Sequence, residues 1–150
     1  MIYKKRDIKP ENFLVDELSI EDEKISIALT DFGVAKTQYQ TMTQTGGIGT
    51  IQYMAPEVQE SGKQSYEVDV WSSGVILYQL LSGDLDSNII GISMKIGVQQ
   101  LANELERKIK ENSSIERENK LIEIMKEMVQ FDASERITPE KALKKLNQEE

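Results

Sequence analysis

The chain has 150 residues, 39% of them hydrophobic and 29% charged, which suits one folded domain and not a disordered segment. It holds no cysteine and no histidine, so a disulfide framework, a thiolate or imidazole metal site and a histidine general base are excluded, and any acid–base or metal chemistry must run on carboxylates, amides and lysines. The net charge of −8, with Lys4-Lys5-Arg6 and Lys9 as a single short basic cluster, argues against a nucleic-acid footprint.

The N-terminal stretch Met1-Ile2-Tyr3-Lys4-Lys5 has no secretory apolar run. Nowhere does the chain approach the about 20 apolar residues of a membrane span, so an intracellular, cytoplasmic location is expected. Phe13-Leu14-Val15 is an apolar triplet, followed by an acidic loop from Asp16 to Glu23. Lys24-Ile25-Ser26-Ile27-Ala28-Leu29 then alternates polar and apolar, the pattern of a strand. The two runs are expected to pair as a hairpin around the acidic loop. Residues 36 to 50, rich in Thr, Gln and Gly, read as a loop.

From Tyr66 to Ser82 the spacing predicts a helix that is apolar on most faces, hence buried, with Gly83 as its stop. Val98, Leu101, Ala102, Leu105 and Ile109 predict an amphipathic helix over 94 to 110. Ser113-x-x-Glu116 is a capping box opening the next helix, whose stripe is Leu121, Ile122, Ile124, Met125, Met128 and Val129. Thr138-Pro139 supplies an N-cap and a proline at the first position of a last helix, with Ala142, Leu143 and Leu146 expected to face inward. There is no internal repeat. The pattern is α+β and mainly helical, with a small strand region at the front.

Three residues in the first third carry hard oxygen donors or bases. Asp7 and Asn12 flank a turn fixed by Pro10, and Asp31 closes the expected hairpin. If the hairpin forms, all three meet at one end of it, a chemistry that suits Mg²⁺ and phosphate. Two Asp and one Asn in loops are more often turn formers and helix caps.

The wording of the segments adds to this reading. Arg6-Asp7-Ile8-Lys9-Pro10-Glu11-Asn12 resembles the catalytic loop of eukaryotic-type serine/threonine protein kinases. Asp31-Phe32-Gly33 resembles their metal-binding triplet, and Gly49-Thr50-Ile51-Gln52-Tyr53-Met54-Ala55-Pro56-Glu57 the end of their activation segment. Asp69-Val70-Trp71-Ser72-Ser73-Gly74-Val75 resembles the start of their central helix, and Arg136 an arginine near the end of the lobe. Five signatures stand in the order that family uses.

The resemblance implies a kinase-like C-terminal lobe. Its catalytic loop would be 5–12, metal triplet 31–33, activation segment 31–57, central helix 66–82, divergent helical segment 84–112 and final helices 114–147. The short hairpin would carry the catalytic and metal-binding loops. Asp7 would accept the proton of the substrate hydroxyl, and Lys9 would neutralise charge on the transferring phosphoryl group. Lys9, Glu11, Asn12, Leu14 and Asp31 would line the ATP site, with Asn12 and Asp31 holding Mg²⁺. Leu14 would lie beneath the adenine, backed by Ile76 and Leu80, all three core residues that also touch ligand.

Asp69 would be buried against the catalytic-loop backbone, and Glu57 and Arg136 would form a buried ion pair. Thr50 would bond Asp7 and Lys9 and help seat a Ser or Thr of a protein substrate. Arg6 would pair with a phosphate on Thr41, Thr43 or, favoured by position, Thr45. Lys5 stands where the family usually has a histidine that packs on Phe32, Asp31 lies 24 positions after Asp7, longer than the family's usual interval, and 84 to 110 diverges.

Nothing in the chain resembles the Gly-rich loop, the strand lysine or the hinge of the family, so a missing N-terminal lobe is the expected partner, and Met1 reads as an internal methionine. The 150 residues alone are expected not to phosphorylate measurably. The alternative is a truncated lobe acting without catalysis as a protein-binding module, or a remnant.

Overall fold

A computed structural model describes residues 8–19, 24–30, 52–61, 65–85, 89–110 and 116–148. A 3₁₀ turn, Pro10–Asn12, opens the described chain. Proline at its first position fixes φ and needs no amide partner there. The Asn12 N–H donates to the Lys9 carbonyl at 3.0 Å. The turn runs into strand β1, Phe13–Ser19, which pairs antiparallel with β2, Lys24–Leu29, as the alternation at 24 to 29 predicts. Phe13 stands opposite Leu29 and Ser19 opposite Lys24.

The register shifts between Val15 and Glu17, so Asp16 is the extra residue of a bulge. Asp16, Glu17, Leu18 and Ser19 therefore belong to the strand and not to the acidic loop. A ladder is made by backbone groups, so an acidic side chain does not bar a residue from pairing where a face is open to water. Consistent with that, Phe13, Leu14, Val15 and Ile27 are all exposed.

Among the described residues five helices follow: α1 Pro56–Ser61, α2 Glu67–Ser82, α3 Ile89–Lys110, α4 Glu116–Met128 and α5 Pro139–Asn147. α2 buries Val68, Val70, Trp71, Val75 and Tyr78. It ends where the sequence places its stop, with Gly83 at φ 69° and its N–H bonded to the Gln79 carbonyl. α3 begins at Ile89, earlier than the stripe at 94 to 110 indicates, because fully buried Ile89 anchors an added turn. It is broken by Gly97, at φ 79° and ψ 156°, a conformation L-residues avoid. Leu101, Ala102 and Leu105 are buried beyond that break. Ser113, the expected capping residue of α4, lies outside the described residues.

After α4, Asp132 caps a 3₁₀ turn, Ala133–Glu135, by accepting from the Ser134 N–H at 2.8 Å and hydroxyl at 2.7 Å. Those bonds hold the Asp132 carboxyl below its ordinary range. α5 opens on Thr138, whose hydroxyl oxygen accepts from the Lys141 N–H, with Pro139 at the first position.

The core lies between α2, α3 and α4. Trp71, Val75, Ile89, Leu101, Leu105, Ile122, Met125 and Val129 form one cluster. α2 and α4 approach closely at Gly74, where a Cβ would stand 2.7 Å from Val129 Cγ1 and 2.8 Å from Met128 Cβ.

Four apolar residues depart from the expectation: Leu14, on a strand of the hairpin, is 55% exposed and not core. Leu80 is 72% exposed, so it is not core, and Leu143 and Leu146 are 59% and 46% exposed. α5 meets α4 through the Lys145–Glu127 ion pair, Ala142 is half-buried, and the rest of its apolar stripe finds no cover among the described residues. Spacing defines a stripe but not a neighbour to bury it.

Candidate active site

The turn and the hairpin bring Lys9, Glu11, Asn12 and Leu14 to one end of the sheet. Lys9 is half-buried, Glu11 exposed, Asn12 buried and Leu14 exposed. The Asn12 carbonyl accepts from the Thr30 N–H at 2.8 Å and from the Thr30 hydroxyl at 3.1 Å, which ties the turn to the end of β2. Thr30 immediately precedes Asp31 in the chain. Arg6, Asp7, Asp31, Phe32, Thr45 and Thr50, with Lys5, Thr41 and Thr43, lie outside the described residues.

The described part of the donor set, Asn12, suits Mg²⁺. Asn12 offers a hard amide oxygen on a backbone whose N–H and C=O are both bonded. Among the described residues no cluster of three or more carboxylates could hold a metal. A single amide oxygen fits the habit of Mg²⁺, which takes few protein ligands and keeps waters and phosphate oxygens; Asp31, the expected carboxylate ligand, lies outside the described residues.

A second constellation surrounds Arg136, whose side chain is wholly buried. Its two terminal nitrogens donate to both Glu57 carboxylate oxygens at 2.7 Å, a bidentate pair. The same nitrogens reach the carbonyls of Glu67 at 2.9 Å and Phe131 at 3.3 Å, and Nε donates to the Gln130 carbonyl at 2.8 Å. The guanidinium lies over the Trp71 ring, 5.1 Å from its centroid, and Trp71 meets Phe131 edge-on at 5.7 Å. The start of α1 is thus fastened to α2 and to the turn after α4.

Residues 52 to 55, just before α1, are fastened at two further points that sequence reasoning missed. The Ser72 hydroxyl donates to the Tyr53 carbonyl at 2.7 Å. The Tyr53 hydroxyl accepts from Gln52 Nε2 and donates to Gln79 Oε1, and Gln79 Nε2 donates to the Leu85 carbonyl at 2.7 Å. Gln79 is 1% exposed. A polar residue within an otherwise apolar buried helix must be hydrogen-bonded, and that was the signal available in the sequence.

Asp69 is half-buried rather than buried. It sits in the first turn of α2, its carbonyl accepts from the Ser73 hydroxyl, and it lines an open groove of about 470 Å³ with Ile8, Val70, Met128, Ile137 and Ala142. The openness of that groove is why Asp69 keeps contact with solvent. Ile76 is half-buried while Leu80, one turn further on, is exposed, so among the described residues the face of α2 that carries them is only partly covered.

Residues 3–146 match the family model described as the protein kinase domain. The chain is 34% identical over 132 residues to the serine/threonine-protein kinase STY46 of Arabidopsis thaliana, an alignment covering 87% of this chain and 21% of that relative. It is 46% identical over 78 residues to calcium-dependent protein kinase 33 of Arabidopsis thaliana, covering 52% of this chain and 14% of the relative. It is 44% identical over 78 residues to myosin light chain kinase A of Dictyostelium discoideum, covering 52% and 25%. The chain spans a quarter or less of each of these relatives.

Proposed function

Because this chain belongs to the protein kinase domain family, we propose that it takes part, within a longer kinase domain, in phosphoryl transfer from ATP to serine and threonine hydroxyls of proteins. The observation that carries the reading is the match over 3–146, in which Asp7, Lys9, Asn12 and Asp31 all stand in the chain. Protein phosphorylation is the activity of the family at large. The serine/threonine preference draws support from the printed name of the Arabidopsis relative and from Lys9 and the Gly49-Thr50 segment.

In this mechanism Asp7 takes the proton of the attacking hydroxyl and Lys9 offsets charge on the phosphoryl group. Asn12 and Asp31 hold Mg²⁺, which when bound neutralises charge on the phosphate oxygens. Phosphoryl transfer requires mainly positioning and charge stabilisation, so a kit of this size suffices. Leu14, exposed at the head of the hairpin, offers an apolar rest for the adenine.

The fastening of residues 52 to 57 by Ser72, Gln79 and Arg136 gives the end of the activation segment a fixed course on which a peptide substrate could be seated. Thr50 contributes to seating the hydroxyl, and Arg6 pairs with a phosphate on Thr45. Asp69 supports the catalytic loop from across the groove, and Phe32 packs behind the metal triplet. We place the chain in the C-terminal lobe of the domain, with a preceding lobe as its partner and an intracellular location.

The test is phosphate incorporation into protein and peptide substrates by the full-length protein that contains this segment. Asp7→Asn is expected to lower kcat by about 10²–10⁴-fold, the usual reach of a general base, with KM for ATP little changed. Phosphoamino-acid analysis should yield phosphoserine and phosphothreonine. Undiminished turnover by the Asp7→Asn protein would remove Asp7 from the mechanism, and phosphotyrosine alone would overturn the substrate class.

A further inference from the structure

Thr30 follows β2 and donates twice to one atom. Its N–H lies 2.8 Å and its hydroxyl 3.1 Å from the Asn12 carbonyl oxygen. The last paired residues of the hairpin are Phe13 and Leu29, so a backbone bond from Thr30 to Asn12 simply continues the ladder. The hydroxyl bond is an addition to it. A carbonyl oxygen has two lone pairs and a single donor leaves its orientation broad. A second donor from the same residue, on a β-branched side chain with few rotamers, narrows that freedom. The other peptide group of Asn12 is fixed by its N–H bond to the Lys9 carbonyl at 3.0 Å. Asn12 is therefore buried and held on both sides, and Thr30 supplies two of the three bonds named.

We infer that Thr30 is a positioning residue for divalent-metal binding: through its hydroxyl it fixes the backbone from which the Asn12 amide reaches the metal. The inference rests on the proposed role of Asn12 as a metal ligand. A ligand must be held within about 0.5 Å of its productive place, and partners one bond removed from the metal carry much of that restraint. Thr30 is half-buried and has no other role in the proposed chemistry. It is also the residue through which the chain passes from β2 to Asp31.

The experiment is a Mn²⁺ titration of the full chain followed by the electron paramagnetic resonance signal of free Mn²⁺, which reads binding without turnover. Four proteins are compared: the unaltered chain, Asn12→Ala, Thr30→Val and Thr30→Ser. Far-UV circular dichroism and the thermal midpoint of each report the fold separately. Thr30→Val keeps shape and the backbone bond but loses the hydroxyl, and should weaken Mn²⁺ binding about ten-fold, the lower end of what supporting partners contribute. Thr30→Ser, which keeps the hydroxyl, should restore affinity to near that of the unaltered chain.

If Thr30→Val binds Mn²⁺ as tightly as the unaltered chain, or Thr30→Ser as weakly as Thr30→Val, the positioning role is overturned while the metal site stands. If Asn12→Ala binds as well as the unaltered chain, the metal assignment itself fails and the inference falls with it. A lowered thermal midpoint with unchanged affinity would mark the Thr30 hydroxyl as structural only, which also overturns the proposal.

Discussion

A guanidinium has five N–H donors, and Arg136 bonds with all of them: two to Glu57, and one each to the carbonyls of Glu67, Gln130 and Phe131. Lysine has three donors on a point charge and cannot match that fork. Removing the arginine leaves the Glu57 carboxylate and three carbonyls without their partner in a largely buried setting. Arg136→Met should therefore lower the unfolding free energy by about 3–5 kcal/mol, and Arg136→Lys by a large part of it. Because replacing both members of such a pair by apolar groups is often near neutral, Glu57→Leu with Arg136→Met should recover part of the loss. Urea denaturation of the three variants measures this. A single Arg136→Met within 0.5 kcal/mol of the unaltered chain would show the pair to be energetically idle. Nothing in spacing or composition pointed to Arg136. It was legible only through the resemblance of the segment around it, and its reach to three separate carbonyls was not legible at all.

The glycine within α2 and the glycine that ends it differ in what they permit, and the difference separates packing from backbone strain. At Gly74 a Cβ would press on Val129 and Met128, so Gly74→Ala must push α2 and α4 apart and should cost about 1–3 kcal/mol. At Gly83 a Cβ meets nothing within 4 Å, and the substitution pays only for its left-handed φ of 69°, roughly 1–2 kcal/mol. Shortening the opposing side chain with Val129→Ala should make Gly74→Ala less costly than it is alone, and should leave Gly83→Ala unchanged. Additive effects of Gly74→Ala and Val129→Ala in a denaturation cycle would contradict the close approach.

Periodicity made α2, α4 and the start of α5 readable, because an apolar stripe, a glycine stop and a Thr-Pro cap are local signals. It did not reveal the break at Gly97, since a glycine inside a helical pattern is tolerated as often as it breaks one. It misplaced Leu80, Leu143 and Leu146, because burial depends on which other element arrives. The acidic run from Asp16 to Ser19 was read by its charge, whereas strand pairing is a backbone property.

On the scale of the whole molecule, the described surface carries Leu14, Val15 and Ile27 on the hairpin and Leu80, Leu143 and Leu146 on the helices, all exposed. Exposed apolar groups in such number favour association, and a net charge of −8 opposes it. The purified 150-residue chain should bind a hydrophobic dye and self-associate as salt screens the charge. Leu80→Ser with Leu143→Ser should reduce both. Sedimentation of the unaltered chain as a sharp monomer without dye binding, at low and high salt, would contradict this.

The Glu57–Arg136 contact joins residues 79 apart and so closes the chain into a ring that contains α1 to α4. The hairpin, at 13 to 29, and α5, from 139, are tails outside the ring. Closing so long a loop is entropically costly and rewarded late, so the ring forms and opens as one event. The hairpin needs only its own short turn. It can fray and re-form while the ring stays shut, so the strand pair and the helical body open on separate clocks.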